Sequence, residues 1–266
     1  MGIRSRSVKI SAIATGVWAC LGCAGAPDSV PREGEASGRT SDALSVHDFD
    51  VDFSGCTEFV GIGQVPAANA RLVVPQRYTL AGDATRAVVV VRVSRCADAV
   101  IDGKARGAIT VSQIGISVVG QDSTADINNY TFAYATDQAL LHARYSGAGV
   151  DADKSNKLTF TVSSAGLLEA ESTSAHTPTF LVRGPTIAPS AAPVRFVASW
   201  WADGVHGVVR SRTVFPAIRF GTSTATLTTP AGSSLAQLIG ATTLTFPLLN
   251  SANTFPNARL EVRDTD

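Results

Sequence analysis

The sequence predicts a mainly β domain: a closed or double-sheet antiparallel barrel with one short helix near 233–240. Three observations predict it. Thr, Ser, Val, Ala and Gly are abundant among the 266 residues and Met1 is the only methionine, as in a sheet protein with many turns rather than a helical bundle. Hydrophobic residues make up 45% of the chain and charged residues 17%, ample material for a core. From Phe49 onward, β-type runs recur every 10–15 residues between Gly, Pro, Asp and Asn, the spacing of a multi-stranded β fold.

The clearest runs are 87–93, 109–119, 130–135, 140–145, 158–162, 179–182, 195–201, 205–214, 225–228, 243–248 and 259–262. Eleven strands exceed what one flat sheet carries, so the sheet closes or stacks on another. The helix follows from Ser233 and Ser234, which offer N-caps ahead of Leu235, Leu238 and Ile239, with Gly240 as the stop. No repeat and no boundary interrupts residues 48–266, which read as a single β-rich domain.

Residues 1–23 read as an export leader. Arg4, Arg6 and Lys9 precede an apolar run from Ile10 to Leu21, about a dozen residues and too short to span a hydrocarbon core of roughly 30 Å. The leader ends CLGC, and Leu21-Gly22-Cys23 resembles a bacterial lipobox, although Cys20 stands where an aliphatic residue is usual. Acylation and cleavage at Cys23 is one reading; ordinary cleavage near Ala24 or Ala26 is the other. Residues 24–47, rich in Gly, Ser, Pro, Arg and Glu, read as a flexible tether. The protein is accordingly expected in the cell envelope, as an outer-membrane lipoprotein or as a secreted or periplasmic protein. Cys56 and Cys96 remain in the folded part, and two cysteines in an oxidising compartment are most simply a disulfide. A two-cysteine metal site lacks nearby histidines, so no metal is expected.

The full chain has 22 basic and 22 acidic residues. Losing the three leader cations leaves a net −3, which offers no electrostatic footprint for nucleic acid or an anionic membrane. A membrane is expected as a partner only through the lipid.

The segment 195–214 carries the candidate site. Asp203-Gly204 is a two-residue turn signal. Turning there sets Trp201 opposite His206, Trp200 opposite Gly207, Val197 opposite Arg210 and Arg195 opposite Arg212. Alternation then gives a core face of Phe196, Ala198, Trp200, Val205 and Val209, with Trp200 covering bare Gly207. The other face carries Arg195, Trp201, His206, Arg210 and Arg212. It is either a solvated sheet surface or the lining of a cavity for an anionic molecule, since arginine forks suit carboxylates and an indole supplies an apolar wall. Trp201, His206, Arg210 and Arg212 are the candidate ligand-binding residues.

Nucleophile elbows, zinc-binding His pairs, phosphate loops and dinucleotide fingerprints are missing from the sequence, so no cofactor is expected. His47, His142, His176 and His206 are scattered, and His142 reads as a core or edge residue. Asp122, Asp126 and Asp137 read as turn or cap residues. Asp151 and Asp153 lie in a run without the glycine and closing glutamate of a calcium loop.

Three stretches, VPQRYTLAGDATRAVVVVRVSRC (74–96), NNYTFAYATDQALLHARYSGAG (128–149) and TTPAGSSLAQLIGATTLTF (228–246), resemble the acetoacetate decarboxylase superfamily in their order. The resemblance implies a β-rich fold around an internal cavity. Those enzymes act through a Schiff-base lysine, but HARYSGAG (142–149) stands where their lysine motif belongs, and Lys104 and Lys154 sit in polar turns. No catalytic residue carries over. The reading is an envelope-associated, non-enzymatic domain that binds a small acidic or amphipathic ligand on a decarboxylase-like scaffold. The rivals are a lyase with a non-lysine mechanism, using His206 or His142 as acid/base, and a structural or partner-binding lipoprotein.

Overall fold

The computed structural model describes residues 48–155 and 157–265; the expected leader 1–23, with Cys23, and the expected tether 24–47 lie outside the described residues. The elements in chain order are β1 (Phe49–Pro66), α1 (Ala67–Arg71), β2 (Arg86–Ile101), β3 (Lys104–Ala105), β4 (Ile109–Ser117) and β5 (Ile127–Thr136). Next come α2 (Ala139–Gly147), β6 (Asp153–Lys154), β7 (Lys157–Val162), β8 (Leu167–Thr173), β9 (Phe180–Ile187) and β10 (Val194–Asp203). The chain continues through β11 (Val208–Phe220), β12 (Thr222–Ser223), β13 (Thr226–Thr228), α3 (Ser234–Ile239), β14 (Thr243–Leu244) and β15 (Leu249–Thr265).

The fold is mainly β, as the composition predicts. Seven strands close into a barrel in the order β1-β15-β11-β10-β5-β4-β2, with β2 returning to β1. Every pair in this ring is antiparallel except β10–β5, which is parallel. A second sheet, β14-β13-β9-β8-β7, packs on the outside of the ring. The run 87–93 shows why two layers form. Val89, Val91 and Val93 join the core shared with Leu168, Val182 and Leu227 of the second sheet, whereas Val90 joins the barrel-side core. A strand buried on both faces needs no alternation of polar and apolar residues.

β1 shows no such run. It carries Gly61 because Phe246 lies on it: a Cβ there would come within 2.5 Å of the Phe246 ring. The expected strand at 243–248 is only two residues long, β14. Along β1 the inward positions are odd-numbered through Phe53 and even-numbered from Cys56, the phase changing at Gly55 with φ +60°. Cys56 lies directly opposite Cys96 on β2, and the two form the expected disulfide.

Residues 140–145, expected as a strand, are helical in α2. The Gln138 side chain accepts a hydrogen bond from the Leu140 amide at 3.2 Å, and Leu141 and Tyr145, four apart, are the buried pair. Spacing of that kind is helical, and it decides over the β-prone neighbours. Leu141 and Tyr145 join the barrel-side core, so α2 closes one end of the ring. The helix α3 forms as expected. The Ser233 hydroxyl accepts from the Ala236 amide at 3.0 Å, and Gly240 ends it in the left-handed region at φ +74°.

Candidate functional site

The expected turn at Asp203-Gly204 is a four-residue loop instead. Asp203 still pairs with Val208, and the Gly204 amide donates to the Gly207 carbonyl at 2.8 Å. The Asp203 carboxylate meanwhile holds Arg77 and accepts from the Tyr78 hydroxyl at 3.3 Å. The register therefore differs from the expected one: Trp201 faces Arg210, Trp200 faces Ser211, Ser199 faces Arg212 and Val197 faces Val214. Each partner moves by four residues. An even shift leaves the paired strand residues on their expected faces, so the sorting into two faces survives along the strands. Val205, expected in the core, lies in the loop and is 79% exposed. Trp200 covers Gly115 rather than Gly207: a Cβ on Gly115 would sit 2.6 Å from Trp200 Cζ3.

Three of the four candidate residues come together outside the ring, around the loop that precedes β5. The Trp201 indole donates to Asn128 Oδ1 at 3.1 Å. Arg212 Nε lies 3.6 Å from Asp122 and its Nη1 3.8 Å from Glu261. Burial works to raise the Asp122 carboxyl, but hydrogen bonds from Thr124 and Ser199 and the charge of Arg210 outweigh it and hold the pKa at about 2. Arg212 is thus paired with a carboxylate of the chain itself, whereas Arg210 acts on it through its charge and keeps a buried Nε without a hydrogen-bond partner among the described residues. His206 is exposed in the hairpin loop. His142 is partly buried on α2, 3.4 Å from the Ser146 hydroxyl.

The enclosed space lies on the other face, inside the ring. A cavity of about 340 Å³ occupies the half of the barrel opposite α2. Its mouth is ringed by half-buried apolar side chains: Val60, Ile62, Ile127, Phe196, Phe220 and Leu249. Its floor is polar and buried: Glu58, Trp200 and Asn253, each 2% exposed, with Arg92. Arg92 Nε donates to Glu58, both side chains nearly enclosed, and the guanidinium lies 5.7 Å from the Phe215 ring centroid, a cation–π distance. Asn253 engages the Ser251 hydroxyl through its Oδ1. Among the described residues, Asn253 Nδ2 and Trp200 Nε1 have no hydrogen-bond partner.

Beneath the floor a cell of about 10 Å³, lined by Arg92, Ser94, Gln113, Tyr134, Tyr145 and Ser211 among others, has room for one water. Burial pushes the Tyr134 phenol well up. Burial likewise takes Tyr145 to about 12, against hydrogen bonds with Ser211 and Tyr134 that work downward. Both phenols are neutral at pH 7 and bring no charge to Arg92.

The sequence reading missed Glu58, Arg92 and Asn253, and it assigned Trp200 to packing alone. A signal for Arg92 was present: a single cation inside the β-branched run AVVVVRV. A strand buried on both faces must pair such a charge. Glu58 and Asn253 carry no comparable mark.

Fold and cavity together define a closed-barrel protein with an apolar internal pocket that has a few buried polar groups in its lining. No protein-family model matches the chain, and no curated protein sequence does. Solved structures do. The chain is similar to an acetoacetate decarboxylase (TM-score 0.55, 12% identity, 80% of this chain and 86% of that one). It is similar to the acetoacetate decarboxylase of Legionella pneumophila (TM-score 0.53, 14% identity, 80% and 85%) and to an acetoacetate decarboxylase-like enzyme of Sphingomonas wittichii RW1 (TM-score 0.51, 9% identity, 81% and 91%). The scaffold is therefore decarboxylase-like, and at these identities the likeness concerns the fold alone. Lys104, Lys154 and Lys157 are exposed, and among the described residues no lysine lines the cavity.

Proposed function

We propose that this protein is an envelope-associated, non-enzymatic binding protein that holds a small amphipathic molecule in the barrel cavity. One observation carries the reading: an apolar-walled cavity of about 340 Å³ is lined by Asn253 and Trp200, whose buried Nδ2 and Nε1 have no acceptor among the described residues. A buried donor with no partner costs about 1–3 kcal/mol, which an occupant supplying an oxygen offsets. The volume lies in the range of small-molecule sites. Location in the envelope is supported by the Cys56–Cys96 disulfide, a feature of oxidising compartments, and by the basic-then-apolar leader ending at Cys23. The absence of a lining lysine among the described residues favours binding over Schiff-base chemistry.

Native mass spectrometry of the protein purified from its own compartment tests this. The expected result is a stoichiometric extra mass in the wild type that is lost in Val60→Trp, which fills the mouth. A bare mass for both proteins overturns the reading and favours a structural or partner-binding role.

A second reading, a lyase with a non-lysine mechanism, draws on the Glu58 carboxylate beside Arg92 on the floor of an enclosed site. Release of carbon dioxide from a 3-keto acid, abolished in Glu58→Gln, supports it; no release removes it.

A further inference from the structure

Resting on the binding reading above, we infer that the cavity selects an uncharged ligand with a hydrogen-bond-accepting oxygen and discriminates against its carboxylate analogue. The argument is one of charge balance at the floor. Arg92 is the sole cation lining the cavity among the described residues, and its Nε already donates to Glu58, the sole carboxylate. The lining is therefore electrically neutral when empty. A carboxylate entering it brings a charge that nothing compensates, at the side of Glu58, and forfeits its hydration.

The groups that do await a partner are neutral. The indole of Trp200 can only donate, and it is 2% exposed with no acceptor among the described residues. Its benzo edge, at Cε3 and Cζ3, is fixed against Gly115, so the N–H lies on the opposite edge of the ring, and the residue borders both the cavity and the small cell beneath it. Asn253 lines the cavity and not the cell, and its buried Nδ2, a donor only, has no acceptor among the described residues. The apolar mouth then sets the orientation: the oxygen goes to the floor and the hydrocarbon to Ile62, Phe196, Phe220 and Leu249. A ketone, ester or amide on a hydrocarbon chain satisfies the floor without unbalancing it. This departs from the anionic ligand that the arginines of β11 suggest, because those arginines lie on the outer face with Asp122.

The test compares two probes of equal size, 2-decanone and nonanoate, each with eleven non-hydrogen atoms, added to the purified wild-type protein at pH 7. The readouts are the Trp200 indole N–H resonance, assigned through Trp200→Phe, and the dissociation constant from its titration. The expected result is that 2-decanone shifts this resonance and binds at least tenfold more tightly than nonanoate. Glu58→Gln, which leaves Arg92 uncompensated, is expected to narrow or reverse the preference; should that variant not fold, the wild-type comparison stands alone. Nonanoate binding as tightly as the ketone in the wild type overturns this inference and leaves the binding reading intact. Failure of both probes to move the resonance overturns both.

Discussion

Removing one member of the Glu58–Arg92 pair is the perturbation whose size the structure sets most directly. The side chains are 3% and 12% exposed, so Arg92→Met leaves a carboxylate, and Glu58→Leu a guanidinium, in the barrel interior without its counter-charge. Breaking a buried pair in this way costs about 3–5 kcal/mol, whereas replacing both partners by apolar groups is near neutral or stabilising. Arg92 borders a cavity wide enough for water, which places the single variants near the lower figure, about 3 kcal/mol. In a domain of this size each kcal/mol moves the thermal midpoint by about 2–4 °C, so each single variant is expected to melt roughly 6–12 °C below the wild type. The double variant should recover most of that loss. Guanidinium unfolding followed by tryptophan fluorescence and far-ultraviolet circular dichroism, run on all four proteins, yields the coupling energy. Single variants within about 1 kcal/mol of the wild type, adding without coupling in the double, refute the reasoning. They show a hydrated floor, and the charge-balance argument falls with them.

Three further outcomes are expected. Gly115→Ala places a methyl 2.6 Å from both Trp200 Cζ3 and the Tyr130 carbonyl oxygen; overpacking of this kind costs about 1–3 kcal/mol, and a shifted Trp200 emission in the folded protein shows that the indole has moved. Replacing Cys56 and Cys96 together by Ala opens a loop of 40 residues and should lower stability by about 3–4 kcal/mol in the chain-entropy model, read by urea unfolding of the oxidised wild type against the variant. Asp122 has a folded pKa of about 2, below its ordinary 3.8, so the unfolded chain binds more protons between those values. The stability Asp122 contributes is full above about pH 4 and lost as the pH falls through 2. Asp122→Asn should flatten the fall of the thermal midpoint between pH 5 and 2, and a slope equal to the wild type's removes Asp122 from the account.

Much of the scaffold was legible from the order of residues. The valine run of β2, the capped and Gly-terminated α3 and the Cys56–Cys96 link each rest on short-range pattern or on covalent chemistry that needs few partners. Side-chain alternation in the 195–214 hairpin also sorted correctly into two faces. The exact partners did not follow, because Arg77 and Tyr78, more than 120 residues earlier, take up the Asp203 carboxylate and the chain turns through four residues. β1 escaped notice because Gly61 breaks its apolar pattern to make room for Phe246, a requirement invisible until the second sheet is in place. The segment 140–145 carries β-prone residues and a helical spacing at once, and the end of the barrel that Leu141 and Tyr145 cover decides between them.

The candidate site divides in the same way. Sequence alone determined a β-rich chain with a two-faced hairpin, the absence of the decarboxylase lysine motif, and a cation stranded in a hydrophobic strand, while a cavity was only implied by resemblance. Which face encloses a cavity was decided only when β1 met both β2 and β15 and closed the ring. Closure brings Glu58, Arg92, Trp200 and Asn253 from four strands to one floor and leaves Arg210 and Arg212 outside with Asp122. Periodicity reports which side chains share a face, since that depends on neighbours along the chain. Which face becomes the interior depends on the curvature and closure of the whole sheet, and that is a property of the tertiary structure.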